Sequence, residues 1–316
     1  MKVKLYNSIS TIIDRGLIIF FYAFINELNA FIKKKILRKK FFKKKIFNFL
    51  MFLDLFDLGI GRTLILFGKR ELDHKYIIDQ VLKKNMVVLD IGANIGYYAL
   101  IELSIISEGF LIAVEPSPKN FQLLKQNLIL NNYKNYEIHN FAISNEDKIK
   151  TFYISKYSNM NTFHRSDDKS LGLTGEKLSI KTQTINQVSN GKKIDFIRMD
   201  VEGHEVQILN SIIQYIKKDN HKPIILFEPH LSRYSLNNDI KIPLNNLINL
   251  GYKISYISSS WSKGSKLIEK LNYISIKKIN TDGVQRKIYQ NIKLKDLINL
   301  ITVTGGVRSI LLEANV

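Results

Sequence analysis

Between residues 87 and 260 the chain alternates short, continuous apolar runs with stretches whose apolar residues recur every three or four positions. The runs at 87–91, 111–115, 136–143, 178–182, 194–199 and 223–227 read as strands, and the spacing at 73–84, 97–103, 205–216 and 240–250 predicts helices. Another helix opens at Pro116 and Pro118 and carries Phe121, Leu124, Leu128 and Ile129 on one face. Strands apolar on both faces and separated by helices predict an α/β fold with a doubly wound, Rossmann-like, mostly parallel sheet and an antiparallel edge strand. Residues 62–67, 252–258 and 273–278 read as further strands, 149–155 as a hairpin-type addition, and polar 156–176 as a long active-site loop.

The first 58 residues follow a different pattern. Ile9, Ile13, Leu17, Phe20, Phe24, Leu28 and Phe31 predict an amphipathic helix over 5–32. Its continuous apolar centre, 17–25, is shorter than the roughly 20 residues of a membrane span. No small-residue cleavage site follows it, so a signal peptide is not expected. In 33–47 apolar pairs separate triplets of Lys and Arg every five residues, a period of neither helix nor strand. Two readings stay open for this segment: a solvated linker or lid helix, or attachment, either of residues 1–58 peripherally to an anionic membrane or to an acidic partner. The expected organisation is a helical basic extension over 1–70 and one α/β domain over 71–316.

Charge follows the same division. Residues 1–50 hold twelve Lys or Arg against Asp14 and Glu27, so +10 of the +19 net charge lies there. That asymmetry weakens a nucleic-acid reading of the whole chain. The absence of cysteine excludes disulfides and thiolate zinc sites and fits a reducing, cytoplasmic compartment. Nothing in the sequence specifies an oligomeric state.

The chemistry is concentrated where strands end. After 87–91 comes a turn, Asp90-Ile91-Gly92-Ala93-Asn94-Ile95-Gly96, with the spacing D-x-G-x-x-x-G. It lacks both the dinucleotide pattern and the Lys-Ser/Thr pair of a P-loop. Gly92, Ala93, Asn94 and Gly96 present backbone N–H groups at a helix start, and a carboxylate at Asp90 favours a cationic ligand over a phosphate. That combination points to a sulfonium with an amino-acid tail, S-adenosylmethionine. Glu115, one βα unit on, is placed to hold ribose hydroxyls, with Pro116 and Ala142 flanking the adenine. Asp200 and Glu202, then Glu228 and His230, follow the strands at 194–199 and 223–227 and are candidates to orient or deprotonate a hydroxyl acceptor. Asp200 and Glu202 are equally placed to cap the following helix. His74, His139, His164 and His221 show no metal-ligand spacing; Asp200, Glu228 and His230 are a conceivable set but share no close helical spacing, and no metal is expected.

VVLDIGANIGYYAL at 87–100, AVEPSPKNFQLLKQNLILNN at 113–132, IDFIRMDVEGHEVQIL at 194–209 and LFEPH at 226–230 together resemble the FkbM-type S-adenosylmethionine-dependent methyltransferases. The resemblance covers about residues 70–260. It implies a class I methyltransferase fold and, for many members, methylation of a hydroxyl on a sugar, glycolipid or secondary metabolite. Arg198 stands where that family has Lys, His204 where it has a small residue, and Asn85 where it has glycine. Two other readings remain: an RNA methyltransferase, and a membrane-attached binding module without turnover.

Overall fold

The apolar runs pair into one nine-stranded sheet in the computed structural model, which describes residues 12–165 and 169–314. Its parallel half is β5 (Tyr136–His139), β4 (Phe110–Val114), β3 (Val87–Ile91), β9 (Phe196–Met199) and β10 (Ile224–Phe227), in that spatial order. Next to β10 lies β14 (Val307–Ala314), antiparallel, then β11 (Tyr252–Ser259) and the hairpin β13 (Val284–Tyr289) with β12 (Lys277–Thr281) at the far edge. Antiparallel pairing is therefore not confined to one edge strand but runs from β10 out to the edge at β12 and covers half the sheet. Residues 307–314 alternate too little to stand out as a strand. Their pairing partners lie about 60 and 90 residues earlier in the chain, so only tertiary structure reveals them.

Side chains of each central strand alternate between two cores. Leu89, Ile91, Ile197, Met199, Ile225 and Phe227 face one layer of helices: α6 (Ile185–Ser189), α7 (Glu205–Asp219), α8 (Lys241–Asn249), α9 (Ser262–Glu269) and α10 (Leu294–Asn299). Val88, Phe196 and Leu226 face the other layer: α2 (Ile60–Phe67), α3 (Leu72–Val81), α4 (Tyr97–Ile105) and α5 (Pro118–Leu130). A small sheet of β6 (Ala142–Ile143), β8 (Leu173–Gln183) and β7 (Ile149–Ser155) covers the carboxyl edge, so the expected third strand is split and the expected loop ends in a long strand.

The N-terminal segment corrects the expectation of a wholly helical extension. α1 (Leu17–Phe31) is helical, while the part of the predicted helix before residue 12 lies outside the described residues. After a π-helical turn at Ile32–Ile36, the basic stretch becomes a hairpin of β1 (Phe41–Ile46) and β2 (Phe49–Asp54). Phe42, Lys44 and Ile46 point inward and Lys43 and Lys45 outward. The period of two was hidden because its inward middle residue is a lysine, whose Nζ donates to the Ile65 carbonyl at 2.5 Å beside the Tyr22 ring. Asn127 on α5 and Asn131 just past its end bond the backbone N–H and C=O of Phe52 and Leu50, so the outer edge of β2 is satisfied by side chains. The hairpin shares its core with β3 and α4, and packing does not break at residue 70. Residues 60–67 are helix, not strand, and Asp57 just before them accepts from Gly59 N and Gly61 N. No helix among the described residues is long and apolar enough to cross a membrane.

Candidate active site

The turn after β3 is shaped by backbone demands. Gly92 (φ 78°), Asn94 (φ 51°) and Gly96 (φ 90°) all take the left-handed region, and Gly92 N and Ala93 N both donate to the Val114 carbonyl. A Cβ on Gly92 would lie 2.3 Å from the Asp200 carbonyl oxygen, which brings the two strand ends together. The backbone N–H of Asn94 donates to Glu115 at 2.8 Å, and Ser117 N donates to the other carboxylate oxygen at 2.8 Å. Around them opens a cleft of about 510 Å³, part of it solvent.

Gly92, Asn94, Glu115, Pro116, Ala142, Asp200 and Glu202 line this cleft. Ala93 and Gly96 shape the turn without lining it, and Gly96 packs on Leu124. The opposite wall is made by residues not singled out as its lining, Phe152 and His204, and by Ser158, Asn159, Asn161 and Phe163 of the expected active-site loop. The Ser158 carbonyl accepts from the amides of Asn94 (3.2 Å), Asn120 (2.8 Å) and Asn161 (3.3 Å), while its hydroxyl donates to Asp57 at 2.8 Å. Thus the loop after β7 is fastened over the cleft from both sides. His204 stacks against Phe163 at 4.7 Å, and burial drops its pKa to about 3, so it is a neutral, aromatic wall.

Asp90 departs from its expected part. Its carboxylate is fully buried, does not line the cleft, and meets Arg198 from the neighbouring position of β9 at 2.8 Å. The cation it was expected to find is the chain's own. Arg198 also approaches Asp200 (3.7 Å) and lies over the face of Tyr98 (3.8 Å). Beyond it Glu102 is fully buried with neither carboxyl oxygen bonded, and burial, then the neighbouring Asp90, pushes its pKa far up. Glu102 is held as the neutral acid.

Asp200, Glu202, Glu228 and His230 come together beside the cleft. His230 Nε2 lies 3.5 Å from Glu202 and 3.9 Å from both Asp200 and Glu228, and its Nδ1 is 2.7 Å from buried Glu205. Burial opposes a charge on this ring, but Glu202 and Glu205 outweigh it and raise its pKa well above the ordinary value. The imidazolium in turn holds Glu202 below the usual carboxylate range against the effect of burial. Glu228 is pushed up to about 8 by burial although Arg308 pairs with it. Arg308, from β14, also bonds Glu71 at 2.6 Å and was missed because its strand was. Among the described residues, Asp200, Glu202 and His230 are also close enough to share a cation.

A sequence profile described as the Methyltransferase FkbM domain matches residues 90–254, just over half of the chain. The chain belongs to the FkbM methyltransferase family. It is also similar to "Methyltransferase 1" of the fungus Beauveria bassiana, 23% identical over 143 residues, 40% of this chain and 57% of that protein. The match thus spans little more than half the length of that relative. Among solved structures it is similar to Methyltransferase FkbM from Methylobacillus flagellatus (15% identity, 73% of this chain, 52% of that one, TM-score 0.41) and to M. jannaschii TYW2 in complex with AdoMet (14%, 80%, 88%, TM-score 0.37).

The cofactor of an FkbM methyltransferase domain is S-adenosylmethionine, and the cleft suits it. Pro116, Ala142, Ile143 and Phe163 give the cleft apolar lining that suits a purine, Glu115 suits a ribose diol, and Asn94 Oδ1 is a buried acceptor with no partner among the described residues. Burial pushes Glu115 up to about 7. The ionised form accepts two hydroxyl hydrogen bonds, and its population rises from about a tenth at pH 6 to nine-tenths at pH 8. Cofactor affinity is therefore expected to rise about tenfold over that interval. Calorimetric titration across pH should show this rise in the wild type and a flat profile in Glu115→Gln. A flat wild-type profile removes Glu115 from the ribose.

Proposed function

We propose that this FkbM methyltransferase methylates a hydroxyl oxygen of a sugar-bearing acceptor: a glycan, a glycolipid or a glycosylated secondary metabolite. The observation that carries this reading is the pair of carboxylates lining the cleft, Asp200 and Glu202, gathered with neighbouring Glu228 around His230. Carboxylates accept hydrogen bonds from polyols and repel phosphodiesters, which favours a sugar over RNA. The basic excess that suggested nucleic acid lies mainly in the N-terminal segment, away from these residues in the sequence.

Bound S-adenosylmethionine supplies an electrophilic methyl group, for which alignment of the nucleophile matters more than a strong base. Asp200 lines the cleft, and burial raises its pKa against the pull of Arg198, which makes it the better proton acceptor. It orients the acceptor hydroxyl and takes its proton. Glu202, kept ionised by His230, holds a neighbouring hydroxyl. The absence of cysteine fits a cytoplasmic site of action.

The test incubates the protein with labelled S-adenosylmethionine and fractionated glycans, glycolipids, RNA and small metabolites from the source cell. Label in a sugar-bearing fraction, with the mass gain of one methylene, is the expected result. Asp200→Asn is expected to lower kcat by about 100- to 10,000-fold while cofactor binding is retained. Label confined to RNA, or an Asp200→Asn enzyme as fast as wild type, overturns the reading.

A further inference from the structure

Helix α1 is built inside out. Ile18, Phe21, Phe24, Ile25, Leu28 and Phe31 are each between 51% and 85% exposed, and among the residues of α1 only Ala23 is fully buried. Two of its polar residues turn the other way. Asn26 donates to the Leu66 carbonyl on α2 at 3.1 Å, and Glu27, the one acid of the helix, pairs with Arg62 at 3.0 Å. A surface helix of a water-soluble protein does the opposite, with its apolar stripe on the core. Six large apolar side chains on one short helix form a contiguous patch that needs a nonaqueous partner.

The chain that follows says which partner. Between Glu27 and Asp54 there are nine Lys or Arg and no acid. Six of them, Lys35, Arg38, Lys39, Lys40, Lys43 and Lys45, are exposed. Phe56 and Leu58 add exposed apolar surface just beyond β2. A second copy joined through α1 would bury the patch, but its matching segment brings no anion to this collar. An anionic bilayer offers both a hydrocarbon edge and negative headgroups. At 15 residues α1 spans about 22 Å, too little to cross the hydrocarbon and enough to lie along it.

We propose that residues 17–45 dock the protein on an anionic lipid bilayer, with α1 lying in the plane of the interface and the basic π-turn and hairpin on the headgroups. This surface stands apart from the acceptor assignment, because it needs neither cofactor nor acceptor to act.

The test is flotation of the full chain with phosphatidylcholine vesicles prepared with and without phosphatidylserine. Wild type is expected to float with the anionic vesicles, far less with neutral ones, and less as salt rises. Lys39→Gln/Lys40→Gln/Lys43→Gln should weaken anionic binding on the order of a hundredfold, at about one headgroup interaction per charge. Ile18→Asn/Phe21→Asn/Ile25→Asn should abolish it. These six side chains are exposed, so circular dichroism and calorimetric binding of S-adenosylmethionine should match wild type and certify the fold. Wild type that stays unbound with anionic vesicles overturns the proposal. So does an apolar triple variant that binds like wild type, or a wild-type dimer that this variant converts to monomer without any vesicle binding. None of these results bears on methyl transfer, which the labelling screen reads separately.

Discussion

Replacing Arg198 by methionine is expected to cost the protein about 3–5 kcal/mol of stability at neutral pH. The guanidinium is 3% exposed and is the only cation within ion-pair distance of Asp90 among the described residues. Methionine fills much of the volume but leaves a fully buried carboxylate unpaired, with Asp200 short of a partner too. Burial already raises the Asp90 pKa against the pull of Arg198, and loss of that pull raises it further. A native state that binds a proton more tightly than the unfolded chain gains stability as pH falls. The gap between variant and wild type is therefore expected to narrow from pH 7 to pH 5 in urea unfolding. Arg198→Lys keeps a charge at this place, as the resembling sequences do, and should lose much less. Asp90→Asn in the Arg198→Met background should recover most of the deficit. A single variant within about 1 kcal/mol of wild type at pH 7 would mean that water or relaxation solvates Asp90.

Gly92→Ala is expected to weaken S-adenosylmethionine binding at least a hundredfold. The new Cβ would meet the Asp200 carbonyl at 2.3 Å, and that atom is backbone, so the two strand ends must part. The left-handed φ of 78° adds about 1–2 kcal/mol of strain. Gly175→Ala separates the two effects: its φ is 86°, and nothing lies within 4 Å of its would-be Cβ. It should pay the strain in stability and bind cofactor like wild type. Calorimetry on both variants decides the matter, and a Gly92→Ala protein with normal affinity would move the cofactor away from this turn.

The central parallel strands were legible because a strand buried on both faces has to be continuously apolar. The carboxylates that end those strands were legible for the complementary reason, since a core has no use for them. Arg198 carried a signal that was only half read. A charge inside an apolar strand demands a partner, yet naming Asp90 requires the register of β3 against β9. Lys44 concealed a strand in the same way, by standing inward with a carbonyl for company. Arg308 was beyond reach, and 156–176, although read as an active-site loop, gave no sign of the contacts that hold Ser158. One arrives on a strand paired across a long stretch of chain, and the other is placed by Asp57 and three asparagine amides, none of which a polar loop composition encodes.

The place of β14 has a consequence in time. During synthesis, β10 and β11 both leave the ribosome before residues 307–314 do, and β14 is the strand that lies between them. Until it arrives, each presents a row of unpaired amides and carbonyls to whatever strand is near. Glu228 at the end of β10 waits as well, because Arg308 comes with the same strand. The nascent protein thus holds its cofactor turn long before its acceptor side is assembled. That interval is when chaperones have most to protect.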